Sequence, residues 1–583
     1  MRTKQKQEFV EMEAVSTAGA SLRHRRHWHQ INWRRVHRHV RRLQIRIVKA
    51  EHEGKKRRVR ALRHILTRSW SGRAVAVKRV TSNRGQRTPG MDHIIWDTPE
   101  KKAQAVGDLQ HQGGCPRPLR RIAIPKRNGG TCYLGIPTMR DRARQALHML
   151  ALEPIAETRA DPNSYGCRPG RSAADAIGQC YCVLSHKTSA PWVLEGDINA
   201  CVDEISHAWL LANIPMEKAR LRQWLQAGYV AENQWYPTEA GTPQGGIISP
   251  VLANLTLDGL ERRLAKQFAS TKTLQRRNQV HLIRYADDFI MTGRTPELLA
   301  DEVKPVVEHF LRERGLALSP TKTRITHISH GFDFLGQTIR KYGGKFLTRP
   351  SPQSVKALLG KVRATIKAQP QARAGDLILP LNPLIRGWAN DHRHGASAQT
   401  FGNVDWHISQ RLWRWARRRH PKKSTGWVGQ TYFPSTGTQP QVCTGKHRNR
   451  AGDIQPVRLY RAQETEMTRH RKIKGAANLY DPMWGPYFEE RTRRLMRKAL
   501  HDDQRLLRLW VAQDGLCVVC GQLLIKEGSW HRHHLQQRAE GGGDTLANLV
   551  LLHPNCHRQV HHQGWHVTKP RPVTGTLSTA RAG

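Results

Sequence analysis

The sequence predicts a multidomain α+β protein, and three features of its 583 residues predict it. Short β-type runs alternate with helical segments between residues 190 and 345, the pattern of an α+β core. Basic amphipathic helices flank that core at 31–80 and 350–420. A compact Cys/His-rich unit follows at 505–565. At ~150 residues per domain the length accommodates about four domains, each able to bury its own core.

Taken in order, residues 1–24 read as a flexible tail. From Ile31 to Val80, Val36, Val40, Leu43 and Ile47, then Leu62, Ile65 and Leu66, recur at helical spacing among Arg, Lys and His. Asn83–Gly90 reads as a loop, and 110–140 is rich in Pro and Gly with extended runs such as Arg121–Pro125. A helix is expected over 141–160, beginning at Asp141. Val193–Ile198 reads as a short strand ending near Asp197. His281–Thr292 reads as a tight hairpin with Ala286-Asp287-Asp288 at its tip. Helices return at 350–420, and 421–450 has the polar, Gly/Thr-rich composition of a linker. Domain boundaries are expected at 25–110, 111–345, 346–430, 431–504 and 505–565, with a second tail at 566–583.

Charge restricts the function more than composition does. Lys and Arg number 96 against 46 Asp and Glu, a formal net charge of +50. Such a surface repels itself until a polyanion neutralises it, so nucleic acid is the expected partner. The excess is uneven. Residues 1–80 hold 23 basic and 5 acidic side chains, and 401–500 hold 21 and 7, whereas 181–260 hold 4 and 8. Carboxylates gathered in a basic chain are either a solvated face or ligands for cations. No apolar run reaches the ~18 residues of a membrane span. The first 20 residues carry Glu8, Glu11 and Glu13 and no apolar stretch, which argues against a secretory signal. Ten cysteines are too sparse for a disulfide scaffold and suit a reducing compartment such as the cytoplasm.

Two groups of residues carry candidate chemistry. Asp197 and the pair Asp287-Asp288 lie at ends of β-type runs, so they can converge on one site. Oxygen ligands arranged that way hold the two Mg²⁺ ions of phosphoryl transfer. In the Cys/His unit, Cys517-x₂-Cys520 and His553-x₂-Cys556 offer four N/S ligands suited to a tetrahedral structural Zn²⁺. A disulfide or a buried free pair is the alternative. Interleaved with them are His533-His534, Asn548, His557 and His561, with the last two four residues apart on one helix face.

The surroundings of the carboxylates resemble the reverse transcriptases encoded by group II introns, from about residue 30 to 565. The matching pieces stand in family order: NRGQRTPGMD (83–92), PKRNGGTCYLGIPTMRDR (125–142), DPNSYGCRPGRSA (161–173), GDINACVDEI (196–205), AGTPQGGIISPVLANLTLDGLE (240–261), RYADDF (284–289), GLALSPTKT (315–323) and GFDFLG (331–336). The resemblance implies right-hand polymerase fingers and palm, with Asp197, Asp287 and Asp288 as the Mg²⁺-binding carboxylates. Thr242–Gly246, with Gln244 and Gly245, would line the template and nucleotide pocket. Lys322 stands where the family has a lysine near the incoming dNTP, and Lys126 and Arg142 are further candidates for phosphate contact. Asp203 reads as structural, because the triad is complete without it.

Three residues depart from the family pattern. Cys132 replaces an arginine expected to grip the triphosphate through a charge-assisted hydrogen bond, worth ~1.5–3 kcal/mol. Val202 replaces a phenylalanine that blocks a ribose 2′-OH, and Cys167 replaces another phenylalanine. The expectation is a weakened polymerase that discriminates poorly against ribonucleotides. Farther along, Asn382–Asn390 resembles the family's helical thumb, the maturase-specific domain, and 409–419 interleaves Trp413 and Trp415 with arginines. At that spacing the tryptophans read as core and the arginines as RNA contacts.

The C-terminal residues resemble the HNH nuclease motif, a small ββα-metal domain. Fifteen residues separate His533 from Asn548 and nine more reach His557. The resemblance makes His533, His557 and His561 ligands of a divalent metal, His534 the general base and Asn548 its orienting partner. His553 departs from relatives that carry Cys-x₂-Cys twice. Together these features imply a protein that binds its group II intron RNA to promote splicing, nicks target DNA and reverse transcribes the RNA from the nicked 3′ end. The partners are then intron RNA, target DNA and dNTPs, with a second copy of the chain as a further candidate. The rival readings are a splicing cofactor with a decayed polymerase and another class of bacterial reverse transcriptase.

Overall fold

The computed structural model describes residues 28–569 apart from 84, 111–113, 126–130, 243–244, 436–440, 449–451, 501–502 and 526–529. Both expected tails therefore lie wholly or mostly outside the described residues. The chain divides into two compact units, each discontinuous in sequence. The first combines residues up to 160 with 200–257 and those from 476, and the second combines 161–199 with 258–475. No helix among the described residues is long and apolar enough to cross a membrane.

In the first unit, the helix Trp33–His52 starts at Asn32, whose side chain accepts from the Arg35 N–H. Its stripe of Val36, Val40, Leu43 and Ile47 is buried, as the spacing predicts. The next helix, Lys56–Arg68, buries Val59, Leu62 and Leu66 but leaves Ile65 half exposed. At 100° per residue Ile65 falls about a quarter-turn off that stripe, at the border of the apolar face. The long helix Met139–Arg159 begins where Thr138 accepts from the Asp141 N–H. A four-stranded sheet in the order Thr131–Ile136, Leu119–Pro125, Tyr229–Ala231, Gln234–Tyr236 completes this region.

The C-terminal residues of this unit are not an appended bead. Trp28, Trp33, Val77, Met139 and Ala143 share one apolar core with Leu509, Trp510, Leu549–Leu552, Cys556 and Val560. The Trp28 indole N–H donates to Asn555 Oδ1 at 3.2 Å. Gln559 Nε2 donates to the carbonyls of His29 and Ile31 at 2.9 and 3.0 Å. His29 also stacks on His562, with centroids 4.6 Å apart.

The second unit holds an antiparallel sheet in the order Leu282–Tyr285, Asp288–Gly293, Trp192–Asp197, Arg324–His327. A three-stranded sheet follows, then the helices Pro352–Ala368, Ala374–His392 and Ala398–Arg419. These helices bury Val362, Leu377, Ile385, Val404, Leu412 and Trp415 in one core. Trp415 is thus a core anchor and Trp413 packs against the same core, as their spacing predicts. The composition of 421–450 is misleading, because Thr425–Tyr432 is helical and Val428, Tyr432 and Phe433 are buried in that core. Three well-placed apolar residues outweigh a polar average.

His392 links this helical core to the three-stranded sheet. Its Nδ1 accepts from Gln337 Nε2 at 2.8 Å and its Nε2 lies 3.0 Å from Ser354 Oγ. Burial pushes its pKa down to about 4. The unfolded chain binds that proton near 6.5, so acid favours unfolding. Stability is expected to be fully present above pH 6.5 and to fall, by up to about 3 kcal/mol from this group, as pH drops toward 4. Thermal midpoints measured across that window should decline less steeply in His392→Gln than in the parent. Parallel slopes would contradict this assignment.

Candidate active sites

The palm carboxylates are positioned by strand register. Asp197 and Asp288 are direct partners at one end of the antiparallel pair Trp192–Asp197 and Asp288–Gly293. Ala286 takes φ +57° in the hairpin turn, which leaves Asp287 and Asp288 exposed at the tip. Behind them, a Cβ on Gly196 would lie 2.2 Å from the Phe289 ring, so only glycine fits between the strands. The turn is braced from the side. Arg284 N donates to Asn163 O at 3.0 Å and Tyr165 N donates to Arg284 O at 2.8 Å. The buried Arg284 guanidinium donates to the buried Asp258 carboxylate, which burial pushes up to about 6.

The electrostatics of the triad are unbalanced. Lys322 Nζ donates to Asp197 Oδ2 at 2.7 Å, and that bond raises the lysine pKa. The residue is exposed on the open side, yet desolvation of its carboxyl by the strand ends, then repulsion from Asp287 and Asp197, pushes Asp288 up to about 6. Three carboxylates against one ammonium leave an excess of negative charge and several free hard oxygen donors. That donor set fits divalent cations.

Other expected pocket residues fall differently. Lys126 and Gln244 lie outside the described residues, and the Cys132 side chain is not described. Gly245 has φ +99°, and a Cβ there would come 2.7 Å from the Gly135 carbonyl, so the turn requires glycine. Arg142 is a correction. It is buried, and its guanidinium donates to the carbonyls of Pro137, Gly85 and Thr88 at 2.9, 3.1 and 2.7 Å. An arginine committed to three backbone acceptors braces the 85–88 turn and has no free fork for a phosphate. Cys167 has φ +55°, and burial with the nearby Asp287 charge pushes its thiol up. Val202 is half-buried, and its carbonyl accepts from Thr242 N at 2.7 Å.

The C-terminal candidates assemble on a two-stranded ribbon and one helix. His531–His534 pairs antiparallel with Leu549–Leu552, and Pro554–Gln563 forms the helix. One nitrogen from each of His533, His557 and His561 lies within 4.8 Å of the others. His557 Nε2 and His561 Nε2 are 3.3 Å apart. Burial, then the neighbouring imidazoles, holds His557 at about 4, and burial also lowers His533. Neutral imidazoles are the ligating form, and His533 Nδ1 is buried with no hydrogen-bond partner. The cluster therefore fits a metal ion. His534 Nε2 lies 2.7 Å from Asp544 Oδ1. Asn548 Oδ1 accepts from Gln536 N at 2.7 Å, while its Nδ2 donates to the carbonyls of Gln536 and Gly543. It thereby pins the loop that follows His534.

Cys517, Cys520, His553 and Cys556 also converge, with ligand atoms within 4.8 Å of one another. The three thiols are fully buried, and Cys520 Sγ lies 3.3 Å from His553 Nδ1. Three buried soft donors and one imidazole suit a metal ion. Sequence reasoning missed Asp544, ten residues from His534 and without a spacing rule to flag it. It also missed His531, whose Nδ1 lies 3.4 Å from His557 Nδ1 and which shares a strand face with His533.

Four stretches of the chain match known protein families. Residues 124–339 match the family model for reverse transcriptase (RNA-dependent DNA polymerase), and 28–109 match the N-terminal domain of reverse transcriptase. Residues 355–433 match the group II intron maturase-specific domain and 517–563 match HNH endonuclease. The chain belongs to the group II intron reverse transcriptase/maturase family with a C-terminal HNH endonuclease domain. It is an RNA-directed DNA polymerase carrying an endonuclease domain. Protein YkfC of Escherichia coli is 32% identical over 355 residues, covering 52% of this chain and 92% of that protein. Group II intron-encoded protein LtrA of Lactococcus lactis is 29% identical over 361 residues, covering 51% of this chain and 60% of LtrA. The methyl-directed restriction enzyme EcoKMcrA of Escherichia coli is 34% identical over 64 residues, 10% of this chain and 23% of that enzyme.

The bracing of the hairpin is open to a steric test. A Cβ on Gly166 would lie 2.2 Å from Ala286 N, beside the two aspartates. Gly166→Ala should displace the tip and cut primer extension about 10²-fold, the cost of a misplacement near 1 Å, while the melting curve stays cooperative. Full extension by this variant would show that the 164–167 segment does not position the carboxylates.

Proposed function

We propose that this protein binds its intron RNA to promote splicing, nicks a DNA target, and copies the RNA from the nicked 3′ end. The observation that supports it best is the coexistence, in one basic chain, of the register-paired Asp197 and Asp288 with the His533, His557, His561 cluster. The maturase-specific match at 355–433 supports intron RNA as the partner. On this reading the helices of 346–430 act as a thumb, and 431–504 contributes to DNA contact.

In the polymerase site, Asp197, Asp287 and Asp288 would hold two Mg²⁺ ions, whose chemistry would be charge stabilisation of the attacking 3′ oxygen and the leaving pyrophosphate. Lys322, already on Asp197, would pair with a dNTP phosphate. Gly245 allows close approach of the backbone, with Lys126 and Gln244 as further nucleotide or template contacts. In the nuclease, His534 takes the proton from the attacking water, and the Asp544 carboxylate holds its imidazole in orientation. Asn548 keeps that histidine's loop in place, while His533, His557 and His561 would hold the nuclease metal. Cys517, Cys520, His553 and Cys556 would hold a structural Zn²⁺, which would require reduced thiols and so a cytoplasmic setting.

Two substitutions separate the activities. Asp288→Asn is expected to lower primer extension on an RNA template by at least about 10³-fold and leave DNA nicking intact. His534→Ala should do the reverse, losing about 10²–10⁴-fold in nicking. Loss of both activities in either variant would refute the division of labour. Elemental analysis of the purified chain is expected to find zinc, reduced by one equivalent in Cys556→Ser.

A second reading, a maturase with weakened polymerase, draws on Cys132, Cys167 and Val202. The double variant Cys132→Arg, Val202→Phe should extend primers faster and reject ribonucleotides better than the parent. Equal rates and equal sugar selectivity would dismiss that reading.

A further inference from the structure

The four-stranded sheet of the first unit carries a line of π groups that neither catalytic centre uses. Strand register places Tyr133 opposite Ala123, Tyr229 opposite Leu119, and Tyr236 opposite Tyr229. With side chains alternating along each strand, Arg121, Tyr133, Tyr229 and Tyr236 therefore share one face. They touch in sequence across all four strands. The Arg121 guanidinium carbon lies 4.2 Å from the Tyr133 ring centroid and 4.0 Å from that of Tyr229. Tyr229 and Tyr236 stack with centroids 5.2 Å apart and planes within 17°. The planar cation sits between two rings, the arrangement in which guanidinium and aromatic faces attract most strongly.

A column of this kind has used its inner faces and keeps its two outer ones. Those belong to Tyr133 and Tyr236, which are 49% and 36% exposed at opposite edges of the sheet. An aromatic cluster that served only the fold would bury its terminal rings, since each offers a large apolar area. Tyr133 also stands in the Cys132-Tyr133-Leu134-Gly135 segment, next to Cys132, one of the residues that depart from the family pattern. Its centre is cationic, and the chain carries a net charge of +50. A flat, π-faced and anionic ligand matches all three properties. The unpaired nucleotide is that ligand.

We propose that the column is a stacking site for single-stranded RNA, with unpaired bases continuing it on the outer faces of Tyr133 and Tyr236, and with Arg121 near the phosphates. The choice of RNA rests on the reading of the chain as an RNA-copying enzyme. The stacking itself rests on the sheet.

The test uses the full-length protein and short single-stranded RNAs carrying 2-aminopurine, alongside abasic RNAs of the same length and charge. Wild-type protein is expected to bind the base-bearing RNA more tightly than the abasic one and to quench 2-aminopurine. The double variant Tyr133→Leu, Tyr236→Leu should lose the quenching and bind base-bearing RNA about 10-fold or more weakly, a typical cost for one lost stack. Its affinity for abasic RNA should not change. Tyr133→Phe, Tyr236→Phe retains both rings and should behave as wild type. If the leucine variant fails to fold, Arg121→Lys decides, because it keeps the charge but breaks the column and should reduce only base-dependent binding. Equal affinity of the wild type for base-bearing and abasic RNA would overturn the proposal, as would equal losses on both RNAs in the variants. Base-independent binding by an enzyme that still extends primers would overturn stacking alone. A wild-type protein that stacks bases but never extends a primer would instead refute the copying reading.

Discussion

The pairing of Asp197 with Asp288 across two antiparallel strands is the constraint on which the second unit's chemistry depends. Like charges at adjacent strand ends repel, and the surrounding protein does not neutralise them, because Lys322 supplies a single ammonium for three carboxylates. The rise of Asp288 to about 6 reflects that shortfall, after desolvation. The fold tolerates the repulsion because the strands are locked elsewhere. Phe289 fills the space above Gly196, Arg284 is held by Asp258, and the Asn163–Tyr165 segment pairs along the hairpin. An apolar, hydrogen-bonded frame thus holds in place a polar tip that would otherwise spread apart. Divalent cations held there would offset that repulsion.

The nuclease applies the same logic with different donors. Burial, with the neighbouring imidazoles, favours the neutral form of His533 and His557, and neutral nitrogens are what a metal needs. The ribbon and helix that carry them are fixed by a core shared with the N-terminal helices, through Trp28, Trp33, Gln559 and Trp510. Small Cys/His domains ordinarily depend on their metal for most of their stability. Here the apolar contact with the helices at 33–80 supplies part of what a domain of this size cannot bury alone. The nuclease is therefore tied energetically to the N-terminal region of the polymerase.

What the sequence made legible follows the range of each signal. The strand ending at Asp197, the hairpin at 282–293, the core tryptophans and the His557–His561 helix face all rest on local periodicity, and the structure has each of them. Arg142 shows where such reading stops. Its motif position suggested a phosphate contact, but its partners are carbonyls 54 and 57 residues away, which no local pattern encodes. Asp544 and His531 were invisible for the same reason, since each matters only through a neighbour brought near by the ribbon. Composition misled at 421–450, where burial of three residues decided the structure.

The large positive charge can now be divided by what each cation does. Arg142, Arg284, Arg411 and Arg419 donate to backbone carbonyls or a buried carboxylate, and so act within the fold. Such arginines contribute to net charge without being free to meet a phosphate. Arg121 belongs to a second kind, held between two tyrosine rings. Counting charge therefore identifies a polyanion as partner but overstates the binding surface. The contacts to nucleic acid must come from cations that the fold leaves unengaged, and from flat faces such as those of Tyr133 and Tyr236. A polymerase that must move along its template gains from that division, because fixed cations hold the enzyme together while fewer, weaker contacts hold the strand.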